Sequence, residues 1–433
     1  MFSQVDKIEF WGGIVRCAPE LLLIDAVLLG YSFFLWYRSY RRTGNRIDYW
    51  NLFCLMNIFV PILLLYPFSA SFLNFISVGA DVVYIDQFVD QAFIISALGY
   101  ISMLVGKSLS FDAPGKLSYF EKIISDNLHS KIFFHFLTAG NFLVLIIAFY
   151  LTAAYGDYVF NLRALHFILP SWSAPLNFII SYVMYSLTFV GLHMIYEKTW
   201  ADYLNIVCLI IVAILLGTRV VLVSPLLTIV MFLLLVQPSL KLTHCVFGLI
   251  LLFCFTIFLS LLRADTATGN VTYSFLSFFA EILYGNTFSD LRDFSWVLTG
   301  FHDDFLYGKT YLSGIFSMIP SSWWDFRDTY GIGKITNYYA GIQFEHFGIR
   351  IGVFGEPYLN FGWAGVVAVG LILGYLLNRV NKQMIQFTKQ NVYCGYAVLF
   401  PFLFWGTFIT VSAFMGTIYV FIILHAIGYL LRK

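Results

Sequence analysis

Long apolar runs separated by short polar loops dominate the pattern of this chain. A helix needs ~20 mostly apolar residues to cross a bilayer. Eleven stretches meet that need, near 18–37, 49–68, 89–107, 131–153, 175–196, 203–219, 220–237, 245–262, 351–378, 392–410 and 412–430. Arg219 interrupts an otherwise continuous apolar stretch, and Gly217 and Pro225 beside it favour a tight re-entry over one long helix. The pattern predicts an all-α, polytopic integral membrane protein with about eleven transmembrane helices.

The pattern breaks once. Residues 263–350 form a charged and aromatic island that divides the chain into an N-terminal bundle, 1–262, a large outer loop, 263–350, and C-terminal helices, 351–433. Apolar pieces inside the island, such as Phe275–Leu283 and Tyr311–Ile319, are too short to span and read as amphipathic segments tucked against the bundle. Residues 1–17 read as a short helix lying in the interface, and residues 155–173 as an interfacial hairpin. There is no internal repeat, which counts against a secondary transporter built from two halves.

Composition agrees with the pattern. The 433 residues are 60% hydrophobic and 11% charged, with a mean hydropathy of +0.81, against about 25% charged in soluble domains. The net charge of +1 argues against nucleic acid as a partner. No cleavable signal pattern opens the chain, so the first span is expected to direct it to the membrane. About fifteen of the 25 basic residues collect on one set of loops, among them Arg38, Arg41, Arg42, Lys107, Lys122, Lys198, Arg379, Lys382 and Lys433. That side is cytoplasmic, which places the island on the opposite face. The six cysteines form neither a disulfide framework nor a metal-binding spacing and read as packing residues.

Candidate chemistry lies at the outer ends of spans. Arg219, in Gly217-Thr218-Arg219, reads either as an anion-binding group suited to a diphosphate or as an arginine snorkelling to the headgroups. Glu356 stands where the chain re-enters the bilayer. A carboxylate there is a candidate general base, or a helix N-terminal carboxylate favoured by the dipole, with His346 and Arg350 placed to orient it. Arg292 leads the island's arginines because it follows a membrane-edge segment. Arg327 follows Trp323 and Trp324, which suit stacking on sugar faces or anchoring at the interface. His302-Asp303-Asp304 is too compact for three ligands on one ion, so no metal site is expected. No phosphate-cradling loop or dinucleotide fingerprint is present, so the energy for any reaction must come with the substrate.

Gly217-Thr218-Arg219, the long outer loop and Gly355-Glu356-Pro357-Tyr358-Leu359-Asn360-Phe361-Gly362 together resemble the O-antigen polymerases of the Wzy type, which include the enterobacterial common antigen polymerase. Thr287-Phe288-Ser289 and Ile319-Pro320-Ser321-Ser322-Trp323 resemble further pieces of that family. The resemblance implies a GT-C-like, metal-independent glycosyltransferase without a cofactor. It would use an undecaprenyl-diphosphate-linked glycan as donor and a second lipid-linked repeat unit as acceptor in the inner membrane, with its site facing the periplasm. A chain-length regulator is an implied partner.

On that resemblance, Arg219 and Arg292 stabilise the departing diphosphate and Glu356 takes the proton of the acceptor hydroxyl. Arg327 and Arg350 position the donor, and Trp323, Trp324, Tyr338 and Tyr339 line the glycan path. Related O-antigen ligases carry a histidine where Glu356 stands, so a ligase is one rival. A lipid-linked oligosaccharide flippase or other transporter is the second, and the scarcity of charge within the spans argues against it.

Overall fold

The computed structural model describes residues 8–10, 15–43, 48–68, 82–111, 115–158, 160–169, 172–236, 288–302, 304–319, 323–342 and 348–433, with scattered positions between 247 and 258. Helices make up nearly all of its regular structure. In bilayer hydrocarbon no water competes for backbone groups, so apolar runs must close their hydrogen bonds internally.

Among the described residues, seven helical stretches are long and apolar enough to cross a membrane: Pro19–Arg41, Asp86–Ser108, Lys131–Ala154, Ser173–Tyr196, Gly352–Thr388, Val392–Thr410 and Ser412–Arg432. Three expected spans appear instead as shorter apolar helices, Tyr49–Leu64, Trp200–Leu216 and Val221–Val236. The expected run at 245–262 lies almost wholly outside the described residues.

The first span is α1 (Pro19–Thr43), with proline at its first position, where the missing N–H costs nothing. The helix α2 (Tyr49–Cys54) widens into a π-helical stretch over Leu55–Leu64 that accommodates Pro61. Then come α3 (Val82–Ser108), α4 (Tyr119–Leu128), α5 (Lys131–Ala154), the single turn α6 (Leu165–Ile168), α7 (Ser173–Tyr196), α8 (Trp200–Leu216) and α9 (Arg219–Val236). The break between α8 and α9 falls where the sequence places it: Gly217 caps α8 in the left-handed conformation at φ 68°.

Four short helices follow: α10 (Asp290–Thr299), α11 (Lys309–Ile315), α12 (Phe326–Tyr330) and α13 (Ile332–Tyr339). The chain then runs through α14 (Gly352–Thr388), α15 (Val392–Ala397), α16 (Phe400–Thr410) and α17 (Met415–Arg432).

The most extensive helix pair is α3 with α14. Small residues let the two backbones touch. A Cβ on Gly374 would lie 2.0 Å from the Met103 carbonyl oxygen, and one on Gly106 2.1 Å from that of Leu371. Gly370 and Gly374 form a small-xxx-small stripe, the usual device for close helix packing where lipid removes any hydrophobic drive. Elsewhere α7 packs against both α8 and α9, and α17 closes on α4, α5 and α7. One polar group of side chains inside the bundle pairs within itself: Asn141 donates to Asn205 Oδ1 at 2.7 Å and accepts from Ser186 at 2.7 Å.

The N-terminus differs from expectation. Instead of an interfacial helix, Ile8–Phe10 (β1) and Val15–Cys17 (β2) pair antiparallel, with Ile8 opposite Cys17 and Phe10 opposite Val15. Gly12-Gly13 between the strands is a turn signal that outweighs the amphipathic pattern. Of the 155–173 hairpin, the described part consists of two 3-10 turns and α6.

Candidate functional site

The segment between α9 and α14 is stitched to two spans at Glu356. Glu356 lies one turn into α14 and is 0% exposed. Its Oε1 accepts from the Thr310 hydroxyl on α11 at 2.7 Å and from the Ser412 hydroxyl. Its Oε2 accepts from the Ser412 backbone N–H, in the turn between α16 and α17, at 2.8 Å. Asn360, one turn further along α14, donates to Thr310 Oγ1 at 2.7 Å and accepts from the Gly308 N–H at 2.9 Å. One carboxylate thus joins three segments far apart in the chain.

A break in α14 at Gly362 (φ 60°, ψ −149°) lies just beyond. That conformation is open essentially to glycine alone. The loop before α11 satisfies carbonyls at the break, with the Leu306 N–H donating to Leu359 O at 3.0 Å and the Tyr307 N–H to Asn360 O at 3.1 Å. The Phe305 ring packs against Gly362, where a Cβ would meet it at 2.9 Å. Irregular backbone of this kind is tolerated near a membrane only where protein pairs it.

The structure gives the expected base a different setting. A base must offer a lone pair to the proton it takes. Both Glu356 oxygens accept from protein donors and are shielded from solvent, so this carboxylate ties the junction together. Its expected neighbour His346 lies outside the described residues.

A second cluster of charge sits at the start of α10, which packs against α3 and α13 and meets α14 through Phe294 and Tyr358, whose ring centroids are 6.3 Å apart. Arg292 is buried and donates through Nε and Nη2 to Asp293 Oδ1 at 2.9 and 2.8 Å. The Ser289 hydroxyl holds Asp293 Oδ2 at 2.6 Å. Arg350 Nη1 lies 3.9 Å from Asp290 Oδ1. Burial pushes the Asp290 carboxyl above the usual carboxylate range, and Asp293 adds to the rise. Arg350 and Arg292 pull the other way. The structure therefore brings Arg292 and Arg350 to one cluster with Asp290 and Asp293.

Arg327 does a structural job. Its Nη1 donates to the Ser317 and Ile319 carbonyls, both at 3.0 Å, and so closes the turn after α11. Trp324 stacks on Phe326 at 4.9 Å and meets Phe316 edge-on, so it is part of a packed aromatic row. Trp323, 81% exposed, and Tyr338, 77% exposed, are open to the surroundings. Tyr339 packs edge-on against Phe301 at 5.4 Å. Arg219 is the first residue of α9, and its side chain lies outside the described part of the structure.

Sequence reasoning missed Thr310 and Ser412, and gave no particular role to Asn360, Asp290 and Asp293. It also missed Asp25, which is buried within α1 and whose Oδ1 has no hydrogen-bond partner. An acidic residue inside an apolar run was the available signal for Asp25. Thr310 and Ser412 carry no such mark. Among the described residues, no group of three or more His, Cys, Asp or Glu side chains is placed to hold a metal ion. No family model matches the chain, and no curated protein or solved structure does either.

Proposed function

We propose that this chain is a polytopic inner-membrane glycosyltransferase, with about eleven spans, that polymerises undecaprenyl-diphosphate-linked oligosaccharide repeat units at its periplasmic face. The growing glycan moves to the non-reducing end of a new lipid-linked unit, and undecaprenyl diphosphate leaves. The observation that carries the reading is the segment between α9 and α14 folded onto the spans, with Arg292 and Arg350 gathered at the start of α10. Fixed guanidiniums suit the charge that develops on a departing diphosphate. Arg219, at the start of α9, is assigned to the same task by the resemblance to O-antigen polymerases, and Trp323 and Tyr338 offer faces for sugars to stack on.

One observation favours a transporter of lipid-linked oligosaccharide. Asp25 and Asp86 are buried in helices long enough to span, and buried intramembrane carboxylates are common along transport paths. Purified protein in liposomes with a synthetic lipid-linked repeat unit and no nucleotide sugar decides between the two. A ladder of lengthening products supports the polymerase. Movement of labelled lipid between leaflets without a ladder overturns it.

A further inference from the structure

Tyr307 holds a backbone conformation that the packing of its own ring does not explain. Its φ is +46°, in the left-handed region that glycine enters freely and a bulky side chain only under strain. Phe160 stands in the same region at φ 64°, but its ring packs against the core. The Tyr307 ring is 75% exposed and meets Phe305 edge-on, with centroids 6.5 Å apart. The backbone is clamped all the same. The Tyr307 N–H donates to Asn360 O, and those of Leu306 and Gly308 donate to Leu359 O and Asn360 Oδ1. Strain of this kind collects at ligand clamps and active sites, where the placement of a side chain matters more than its packing.

The surroundings of the ring point to its ligand. Ring contacts run from Tyr307 through Phe305, Phe301 and Tyr339 to Tyr338, which is 77% exposed. Open aromatic faces thus stand at both ends of one packed row. Exposed polar residues accompany the row: His302, Asp304 and Lys309. Burial raises the Tyr339 hydroxyl above the ordinary tyrosine range, and Asp304 adds to the rise, so this carboxylate lies close to the row. A sugar presents a C–H face to an aromatic ring and hydroxyls to a carboxylate. Anchoring in lipid headgroups would not call for a strained backbone, because a tyrosine reaches that layer from ordinary conformations.

We infer that Tyr307 stacks on a sugar ring of the lipid-linked glycan and that Asp304 accepts hydrogen bonds from the glycan's hydroxyls, with Tyr338 as a second stacking face. The inference rests on the polymerase reading and adds a glycan-holding residue to it. Clamping the backbone to α14 fixes the Tyr307 ring before the glycan arrives, so less freedom is lost on binding. In this role Tyr307 binds substrate and touches no reacting atom.

The test uses the purified full-length protein and a synthetic polyprenyl-diphosphate-linked repeat unit, with elongation kinetics read beside SDS-induced unfolding in micelles. Tyr307→Ala is expected to raise KM about tenfold with kcat nearly unchanged, as loss of a binding contact does. Tyr307→Phe and Tyr307→Trp should keep KM within about threefold of the wild type, since stacking uses the ring face. Tyr307→Gly should raise KM as alanine does, yet unfold at an SDS fraction no lower than the wild type, because glycine relieves the left-handed strain. It also serves as the KM readout should the alanine variant fail to fold. A wild-type KM in the alanine and glycine variants, as anchoring in lipid alone would give, overturns the inference and leaves the polymerase reading standing. So does a glycine variant that unfolds at a clearly lower SDS fraction than the wild type, since the ring would then be a packing element. If the wild type itself makes no ladder, the polymerase reading fails and the inference with it.

Discussion

Replacing Glu356 separates a carboxylate that holds the protein together from one that does chemistry. Three donors point at it: the Thr310 hydroxyl, the Ser412 hydroxyl and the Ser412 N–H. A hydrogen bond to a charged group contributes about 1.5–3 kcal/mol. Three give roughly 5–9 kcal/mol gross, from which the several kcal/mol of keeping a carboxylate out of water must be subtracted. Glutamine keeps the volume and one acceptor oxygen, and the two hydroxyls can rotate toward its amide, so Glu356→Gln should cost about 1–2 kcal/mol. Alanine strands all three donors and leaves a cavity, and should cost about 4–6 kcal/mol. The assay is SDS-induced unfolding of each purified variant in micelles, run beside elongation of a synthetic lipid-linked repeat unit. A glutamine variant that elongates while the alanine variant falls apart fits a junction residue. A glutamine variant with wild-type unfolding and at least a hundredfold loss of elongation would refute the reasoning and return Glu356 to the role of base.

Gly374→Leu puts a side chain where the Met103 carbonyl oxygen lies 2.0 Å from the Cβ position, so it should separate α3 from α14 and abolish recovery of monodisperse protein by gel filtration. Arg327→Ala removes two hydrogen bonds to the Ser317 and Ile319 carbonyls and should speed proteolysis near that turn about tenfold or more, with little effect on the spans. Arg219→Ala should stop elongation while membrane insertion, followed by immunoblot of the membrane fraction, is unchanged. Because burial raises the Asp290 carboxyl in the folded protein, the native state holds its proton more tightly than the unfolded chain from the ordinary value of 3.8 upward. The wild type should therefore lose stability relative to Asp290→Asn as pH rises through that window, read by unfolding midpoints at a series of pH values.

Membership of the membrane class, the position of most long helices and the break at Gly217 were legible from residue order alone. The reason is local: in hydrocarbon an apolar run of ~20 residues can satisfy its backbone only as a helix. The glycine that ends α8 acts through its own φ of 68°. Arg292 stood out because it is charged at a membrane edge, and the structure places it in a buried pair with Asp293. What Glu356 does could not be read that way, because its partners Thr310 and Ser412 lie 46 and 56 positions away and are ordinary small polar residues in the sequence. Charge at a span end marks a residue as costly, and only its neighbours decide whether that cost is offset by protein donors or left for a substrate. Tertiary packing sealed Glu356 inside a three-way junction and set Asp290 opposite Arg350, since hydrogen-bond satisfaction depends on which distant segments meet.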